Sequence, residues 1–459
     1  MDNRQILKAV KKVAPSPPSI GSGSSGVSRK LKPPPAPSIG SGSVASVSSS
    51  GAGSKRGSET SHRSGRSGSA KRSRSSLYPE SESSDDEPDI TPENRLKLIK
   101  EQSRILWIKA NRVNWKLHYN NLLLGRKIDH IEPENYVYTT FCRSDLLQKL
   151  MDLKYKIRSN GADKFFELRA KLSSFVGMEG IIFHNPEAIR MANIDALMGY
   201  QLSNPKNFRG ESLLGPNELL YFVDIYGAPG GAAEYFLWKK QWNAHGFGFT
   251  SKQLDYDLPV KPHYSAESFE AVYGFHGKKG QGDIYNPDEV DFFMRYVRKS
   301  TGFTGAHICI AQGGEMSIGD EDRKELRAKY LLMSEFMIAL DVLREGGHFV
   351  CKIYDMFTSF TVGLIYLMYR TFDSVAIFKP ETCLPASSDR YILCKYRKAN
   401  RNILEIRRFL MDTLTAYRNS QRLSKGPNDD VADIIELVPF EAIRQSYSFY
   451  DHILSANVA

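Results

Sequence analysis

The chain has 459 residues and a formal net charge of +10. This charge is unevenly divided, because residues 1–78 hold 14 basic and 2 acidic residues whereas residues 79–459 hold 48 and 50. A uniformly basic nucleic-acid-binding domain is therefore excluded, and RNA contacts of the folded part must come from a local patch.

The amino-terminal segment is dominated by Ser, Gly and Pro and has almost no aromatic side chains. Such a composition cannot bury enough apolar surface to offset chain entropy, which predicts disorder over residues 1–88. Its basic residues would give diffuse, salt-sensitive attraction to phosphates. The basic clusters Lys55-Arg56 and Lys71 to Arg74 are typical of nuclear import signals, although a Ser/Arg-rich tail produces such clusters by composition alone. We expect a nuclear protein.

The next segment, residues 89–180, predicts a helical amino-terminal extension. Thr91 followed by Pro92 is typical of a helix start, and apolar residues then recur at roughly helical intervals through Ile105 and Ile108. Trp107 has two interpretations, a core residue on the apolar helical face or a platform for a base. The first is favoured because aromatic residues on such a face are usually core.

From residue 219, short apolar runs alternate with helical stretches. This pattern predicts a mostly parallel sheet covered by helices on both faces, an α/β fold of the Rossmann type. One long helix is expected to end at Gly346-Gly347 and another to begin near Thr358. The predicted strands are Leu219–Ile225, Gly246–Thr250, Ala306–Ala311, His348–Tyr354, Ser374–Phe378 and Arg390–Tyr396.

Cysteine spacing and hydropathy exclude several other classes. The five cysteines include no CxxC pair, which predicts neither a zinc site nor a disulfide framework. No apolar run reaches the roughly 18 residues that a membrane span needs. We expect a soluble intracellular chain with no metal site and no membrane contact.

The most specific motif is the stretch from Asp224 to Gly231, in which a predicted strand runs into a glycine-rich turn and then a helix. A turn of this kind lets the backbone approach a ligand closely, and a nucleoside cofactor binds at the carboxyl end of the first strand of an open parallel sheet. A lone glycine turn would more often be a connection without a ligand. Here Asp224, Pro229, Gly230 and Gly231 occur together.

The spacing of Asp224 and Pro229-Gly230-Gly231 resembles the S-adenosylmethionine (SAM) binding motif of FtsJ-like RNA 2′-O-methyltransferases. Further blocks over roughly residues 135–455 resemble the cap-specific messenger-RNA nucleoside-2′-O-methyltransferases. The resemblance implies a methyltransferase domain at 181–455, with SAM as cofactor and capped RNA as substrate. These blocks are Asn185 to Asp195, Trp238 to Thr250, Gly282 to Ile284, Gly346 to Phe357 and Phe378 to Lys395. The residues that would line the SAM pocket are Asn185, Asp224, Gly227, Pro229, Gly230, Gly231 and Asp283.

That family removes the ribose proton with a Lys-Asp-Lys-Glu tetrad, in which neighbouring charges allow a lysine to act as a base. In this chain the four positions carry Arg190, Gln312, Lys352 and Asp389, so that only Lys352 is unchanged. Arginine stays protonated and is not a conservative replacement for lysine. Gln312 removes a negative charge, and Asp389 shortens a carboxylate side chain by one methylene. The resemblance therefore implies a degenerate tetrad.

Three functions are compatible with these residues. The first is a pseudo-enzyme that retains the fold as an RNA- or nucleotide-binding or protein-interaction module in nuclear RNA metabolism. The second is a working SAM-dependent cap methyltransferase with a rearranged centre. The third is an adaptor with a vestigial pocket, which recruits protein partners through the tail and the amino-terminal helices.

Overall fold

The structure, a computed structural model, describes part of the unit Pro92–Ala459. The predicted disordered segment and its basic clusters lie outside the described residues, as do Thr91 and Pro92. The described ranges are 104–110, 116–129, 139–159, 182–258, 268–275, 280–312, 323–383, 387–399, 401–423 and 433–458.

Strands and helices alternate from residue 186 onward. The described strands are β1 (Ile108–Lys109), β2 (Lys127–Asp129), β3 (Leu220–Ile225), β4 (Ala244–Phe249), β5 (Phe269–Val272), β6 (Ala306–Ala311), β7 (Leu343–Ile353), β8 (Phe372–Phe378), β9 (Arg390–Arg397) and β10 (Asp433–Glu436). The described α-helices are α1 (Tyr119–Gly125), α2 (Ser144–Ser159), α3 (Pro186–Leu197), α4 (Gly231–Lys240), α5 (Pro287–Ser300), α6 (Lys324–Val342), α7 (Ser359–Thr371), α8 (Asn402–Leu423), α9 (Phe440–Arg444) and α10 (Tyr447–Ala456).

Eight of these strands form one sheet in the order β1-β8-β9-β7-β6-β3-β4-β5. The strands from β3 to β7 run parallel to their neighbours in this group, whereas β9 lies antiparallel between β7 and β8. The predicted α/β fold with a mostly parallel sheet is confirmed. A separate pair, β2 with β10, is antiparallel.

The central strands are mostly apolar because both faces of the sheet are covered. In β3, Val223 and Ile225 join one buried cluster, whereas Leu220 and Phe222 join another on the opposite face, as the alternation of side chains along a strand requires. All residues of β6 are buried. Two apolar layers therefore cover the faces of the sheet. The ends of its strands, which these layers do not cover, are where a binding site can form.

Two local predictions were wrong. The helix expected through Ile105 and Ile108 is absent, because Ile108–Lys109 forms β1 and pairs antiparallel with β8. The helix expected to end at Gly346-Gly347 ends at Val342 instead. The chain enters the sheet early because Leu343 already pairs with Ala306 on β6, and the two glycines lie within β7.

Trp107 packs against the apolar cluster that contains Phe222, and the Lys395 Nζ lies 3.8 Å from the centre of its ring. This contact fits the core interpretation of the side chain.

Within the described ranges, no helix combines the length and apolar character that a membrane span requires. The same residues include no group of three or more His, Cys, Asp or Glu side chains that could hold a metal ion. The five cysteines are buried free thiols.

Candidate functional site

The candidate site lies at the carboxyl end of β3. This strand runs parallel to β4 on one side and to β6 on the other, with Ile225 opposite Phe249 and Ala311. β4 and β6, which follow β3 along the chain, thus lie on opposite sides of it, so the strand order reverses at β3. Ligands of open α/β sheets bind in the crevice outside the strand ends at such a point, and the predicted glycine turn follows β3 directly.

The backbone of the turn passes close to neighbouring side chains. The peptide before Pro229 is cis, and Gly230 precedes α4 with a φ of 113°, which favours glycine. A Cβ atom at Gly230 would lie 2.7 Å from the Cδ2 of Leu258, and one at Gly231 would lie 2.5 Å from the Cβ of Glu187. Side chains at these two positions would collide with these neighbours, so this turn, here called the glycine cradle, requires glycine at both.

Asp224 lies beneath this turn. Its side chain is fully buried, and a Cβ atom at Gly227 would lie only 2.0 Å from its Oδ1. Burial raises the pKa of Asp224 from 3.8 to about 7; the backbone of Ala233 opposes this shift and the charge of Glu187 adds to it. Asp224 is placed to shape the turn from below, and its predicted contact with SAM stays a prediction.

The raised pKa of Asp224 predicts a pH-dependent stability. The folded chain holds a proton on Asp224 that the unfolded chain releases above about pH 4, so this group stabilises the fold at low pH and ceases to do so as the pH rises to about 7. Relative to Asp224→Asn, which cannot titrate, the unmodified chain should lose about 2–3 kcal/mol between pH 5 and pH 8. Urea unfolding of both chains across this range measures the difference, and two parallel curves would contradict the prediction.

Asn185 is held beside the turn at the start of α3. Its Oδ1 accepts a hydrogen bond of 2.9 Å from the backbone N–H of Glu187, which caps the helix. The backbone N–H groups of His184 and Asn185 donate to the carboxylate of Glu234 on α4, at 2.7 and 3.0 Å. The buried Glu234 thereby fixes the predicted SAM-lining residue next to the glycine turn.

Asp283 follows Gly282, which contacts the residue directly after β3. The hydroxyl of Tyr226, the first residue after β3, donates to the carbonyl oxygen of Gly282 at 3.2 Å. One carboxylate oxygen of Asp283 accepts from the backbone N–H of Tyr285 at 2.9 Å, and the other lies 3.0 Å from a guanidinium nitrogen of Arg418. The ion pair with Arg418 on α8 holds the carboxylate in a fixed orientation.

Gln312 directly follows β6, and Lys352 lies near the end of the adjacent strand β7. The backbone N–H of Gln312 donates to the carbonyl oxygen of Ile225 at 3.2 Å, and Ala311 pairs with Cys351 on β7, one residue before Lys352. The side chain of Gln312 is 6% exposed, and among the described residues neither its nitrogen nor its oxygen has a hydrogen-bond partner. A buried amide without partners points to a place where a further group binds.

Arg190 projects from α3 and forms an ion pair with Glu187, one turn earlier in the helix. Its Nη2 also lies 3.4 Å from the carbonyl oxygen of Thr382. Burial lowers the pKa of Arg190, but nearby Tyr391 and Glu187 outweigh it and raise the pKa above its ordinary value. The guanidinium at this tetrad position is therefore held in its charged form.

Asp389 lies just before β9 and completes the group. Burial raises its pKa, but Lys352 and Lys324 outweigh burial and hold the pKa below its usual value, with a smaller contribution from Arg190. The Nζ of Lys324 lies 3.8 Å from its Oδ1. The four predicted positions thus meet at one edge of the sheet, while their catalytic roles stay predictions.

Sequence reasoning missed Glu187, which lies between the glycine turn and Arg190, and Glu234, which joins α4 to the start of α3. The spacing of three residues between Glu187 and Arg190 was an available signal, because such pairs meet on a helix surface. The contact of Glu234 with the start of α3 spans about 50 residues and has no local pattern.

Comparisons with known proteins identify the fold of this region. The profile of the FtsJ-like methyltransferase family matches residues 205–397. The chain is 36% identical over 340 residues to cap-specific mRNA (nucleoside-2′-O-)-methyltransferase 1 of Xenopus laevis, covering 73% of this chain and 38% of that protein. The match with the Homo sapiens protein has the same identity and length and covers 39% of it. In Drosophila melanogaster the identity is 33% over 364 residues, covering 77% and 44%.

Among solved structures, a ribosomal RNA methyltransferase from Plasmodium falciparum aligns with a TM-score of 0.33 and 17% identity, over 48% of this chain and all of that one. Human methyltransferase-like protein 13 in complex with SAH aligns with a TM-score of 0.26 and 10% identity, over 53% and 96%.

The chain spans less than half the length of the curated relatives cited, so their whole-protein activities are not carried over by the match. The family profile covers the glycine turn, Asp283, Gln312, Lys352 and Asp389. Residues 205–397 thus match the FtsJ-like methyltransferase family, and the chain is similar in sequence to the cap-specific mRNA 2′-O-methyltransferases cited.

Proposed function

We propose that this chain binds SAM at the carboxyl edge of its sheet but transfers the methyl group to capped RNA very slowly. It would then act mainly as an RNA- or nucleotide-binding or protein-interaction module in nuclear RNA metabolism. The observation that carries this proposal is the Arg190–Glu187 ion pair at the position of the first tetrad lysine.

The residues at the turn fit SAM. The glycine cradle leads directly into α4, whose first backbone N–H groups and helix dipole favour a carboxylate such as that of the methionine part. Asn185 lies against Gly231, and Asp283 follows Gly282, which is hydrogen-bonded to Tyr226; both side chains carry oxygen atoms that could accept from the amino and hydroxyl groups of a nucleoside. When bound, SAM would supply an electrophilic methyl group on a positively charged sulfur.

Weak transfer follows from the charges around that methyl group. A 2′-hydroxyl must lose its proton as it attacks, and a positioned base typically contributes 10²- to 10⁴-fold in rate. Arg190 cannot accept a proton, because it stays charged beside Glu187. Gln312 offers hydrogen bonds but no charge to stabilise the cationic methyl donor. Lys352 is left without the tetrad geometry of the related enzymes.

A working methyltransferase with a rearranged centre is the second candidate. It is favoured by Asp389, whose depressed pKa reflects the positive charge of Lys352. A lysine and a carboxylate thus still face one another at the tetrad. An adaptor with a vestigial pocket is the third candidate, with partners recruited through the tail, which lies outside the described residues.

Calorimetry with SAM tests the binding half of the proposal. The unmodified chain should bind SAM, and Gly230→Val should not, because a side chain there would strain the backbone and meet Leu258. The control is Gly302→Val, which places the same side chain at a φ of 59° with nothing within 4 Å. No binding by the unmodified chain, or equal binding by both variants, would contradict an occupied pocket at this turn.

Transfer of a labelled methyl group from SAM to capped RNA tests the catalytic half. The unmodified chain should be no faster than Lys352→Ala. Robust turnover that depends on Lys352 would replace the proposal with the second candidate.

A further inference from the structure

Glu187 stands between the SAM cradle and the tetrad positions. Its Cβ approaches Gly231 at the start of α4, and its carboxylate pairs with Arg190. The hydroxyl of Tyr391 on β9 lies 3.5 Å from its second carboxylate oxygen. Its side chain is about 30% exposed, so Glu187 is a partly buried negative charge at the crevice.

Charged side chains surround Glu187 at the ends of the sheet strands, where the tetrad positions lie. Arg190, Lys352 and Lys324 are positive, whereas Asp389 is the one negative tetrad side chain. Without Glu187 the excess of positive charge at this edge would be larger, and a sulfonium would be repelled more strongly there. Glu187 offsets Arg190 directly through the ion pair, and its field reaches Asp224 below the glycine turn.

We propose that Glu187 supplies the negative charge that Gln312 lacks, and that preference for SAM over its demethylated product, S-adenosylhomocysteine (SAH), depends on it. This inference rests on the proposed SAM binding. SAM and SAH share the adenosine and amino-acid groups and differ by one methyl group and one positive charge on sulfur. The change that Glu187→Gln causes in the ratio of the two affinities therefore reports the field at the sulfur, because the methyl group is the same in both measurements.

Gln312 and Glu187 are both connected to the end of β3. Gln312 is bonded through its backbone to Ile225, the residue after Asp224, and Asp224 responds to the charge of Glu187. A carboxylate at either position would act on the same crevice. Glu187 is accordingly a positioning and selectivity residue, since it acts through Arg190 and through the field at the cradle.

Calorimetry with SAM and with SAH on the unmodified chain and on Glu187→Gln tests this inference. The substitution keeps the size of the side chain and removes its charge. The dissociation constant for SAM should rise about tenfold, while that for SAH should change less than about twofold. Glu211→Gln is the matched control, because it removes an exposed carboxylate from a loop of the same domain and should change neither constant.

The double variant Glu187→Gln/Gln312→Asp separates charge from packing. If the missing charge is what matters, an aspartate at position 312 should restore the preference for SAM. In the unmodified background, Gln312→Asp alone should raise that preference only slightly, because Glu187 already offsets Arg190. The comparison of Gln312→Asp with the unmodified chain does not involve Glu187→Gln, so it tests the inference even if Glu187→Gln fails to fold.

Three outcomes would overturn the inference. Equal weakening of SAM and SAH in Glu187→Gln would assign Glu187 a packing role against Gly231. A large gain from Gln312→Asp alone would mean that the negative charge is still missing in the unmodified chain. Binding of neither ligand by the unmodified chain would instead refute the proposed SAM site, and the inference with it.

Discussion

Substitution of Lys154 by methionine should lower the free energy of unfolding by about 3–5 kcal/mol, because it leaves a buried carboxylate without its partner. The Nζ of Lys154, on α2, pairs with the carboxylate of Asp355 and lies 2.9 Å from the Oγ of Ser388. Both charged side chains are 5% exposed, and Ser388 precedes the tetrad residue Asp389. This pair therefore fastens α2 to the loops that carry the candidate site.

Urea unfolding measures the loss, and two variants control it. Arg143→Ala breaks the exposed pair between Arg143 and Asp145 at the start of α2 and should have little measurable effect. The double variant Lys154→Met/Asp355→Asn removes both buried charges and should be more stable than Lys154→Met alone. If Lys154→Met costs no more than Arg143→Ala, the pair does not stabilise the docking of α2.

The central strands of the fold were predictable from sequence because their residues are buried on both faces. The apolar run Ala306–Ala311 predicts β6 with its observed bounds, and Leu219–Ile225 predicts β3 to within one residue. β1 was missed because a two-residue edge strand has no periodicity of its own, and its pairing with β8 is a tertiary contact. β5 was missed in the same way, since two of its four residues are not buried.

In the candidate site, too, features with a local residue pattern were predictable and long-range contacts were not. The glycine turn and Asn185 could be predicted because a close backbone approach and a helix cap leave local residue patterns. The contacts that orient them could not, because they join distant segments. Arg418 reaches Asp283 from α8, and Lys154 meets Asp355 across 201 residues of chain. Resemblance to a family locates the tetrad positions but is silent on Glu187, whose role depends on its partners.

Restoring three tetrad residues together should produce measurable methyl transfer. In Arg190→Lys/Gln312→Asp/Asp389→Glu the rate should rise at least about 100-fold over the unmodified chain, which corresponds to the lower end of acid–base contributions. The physical reason is that a lysine at position 190 returns a compact donor in place of a planar fork, while carboxylates at positions 312 and 389 return the neighbouring charges that allow a lysine to act as a base. Gln312→Asp alone should regain little, since Arg190 still occupies the lysine position.

The assay for this variant is transfer of labelled methyl groups from SAM to the first transcribed nucleotide of capped RNA. The control is the same triple variant with Lys352→Ala, which should return to background because Lys352 is the one tetrad residue already in place. Calorimetry on the triple variant must first show SAM binding, so that a missing rate is not confused with a lost cofactor. If SAM binds and no Lys352-dependent transfer follows, the deficit lies in contacts to the RNA and not in the tetrad, because both the donor and the acid–base groups would then be present. That result would favour the adaptor, in which the fold persists for its surface and the crevice no longer receives a ribose.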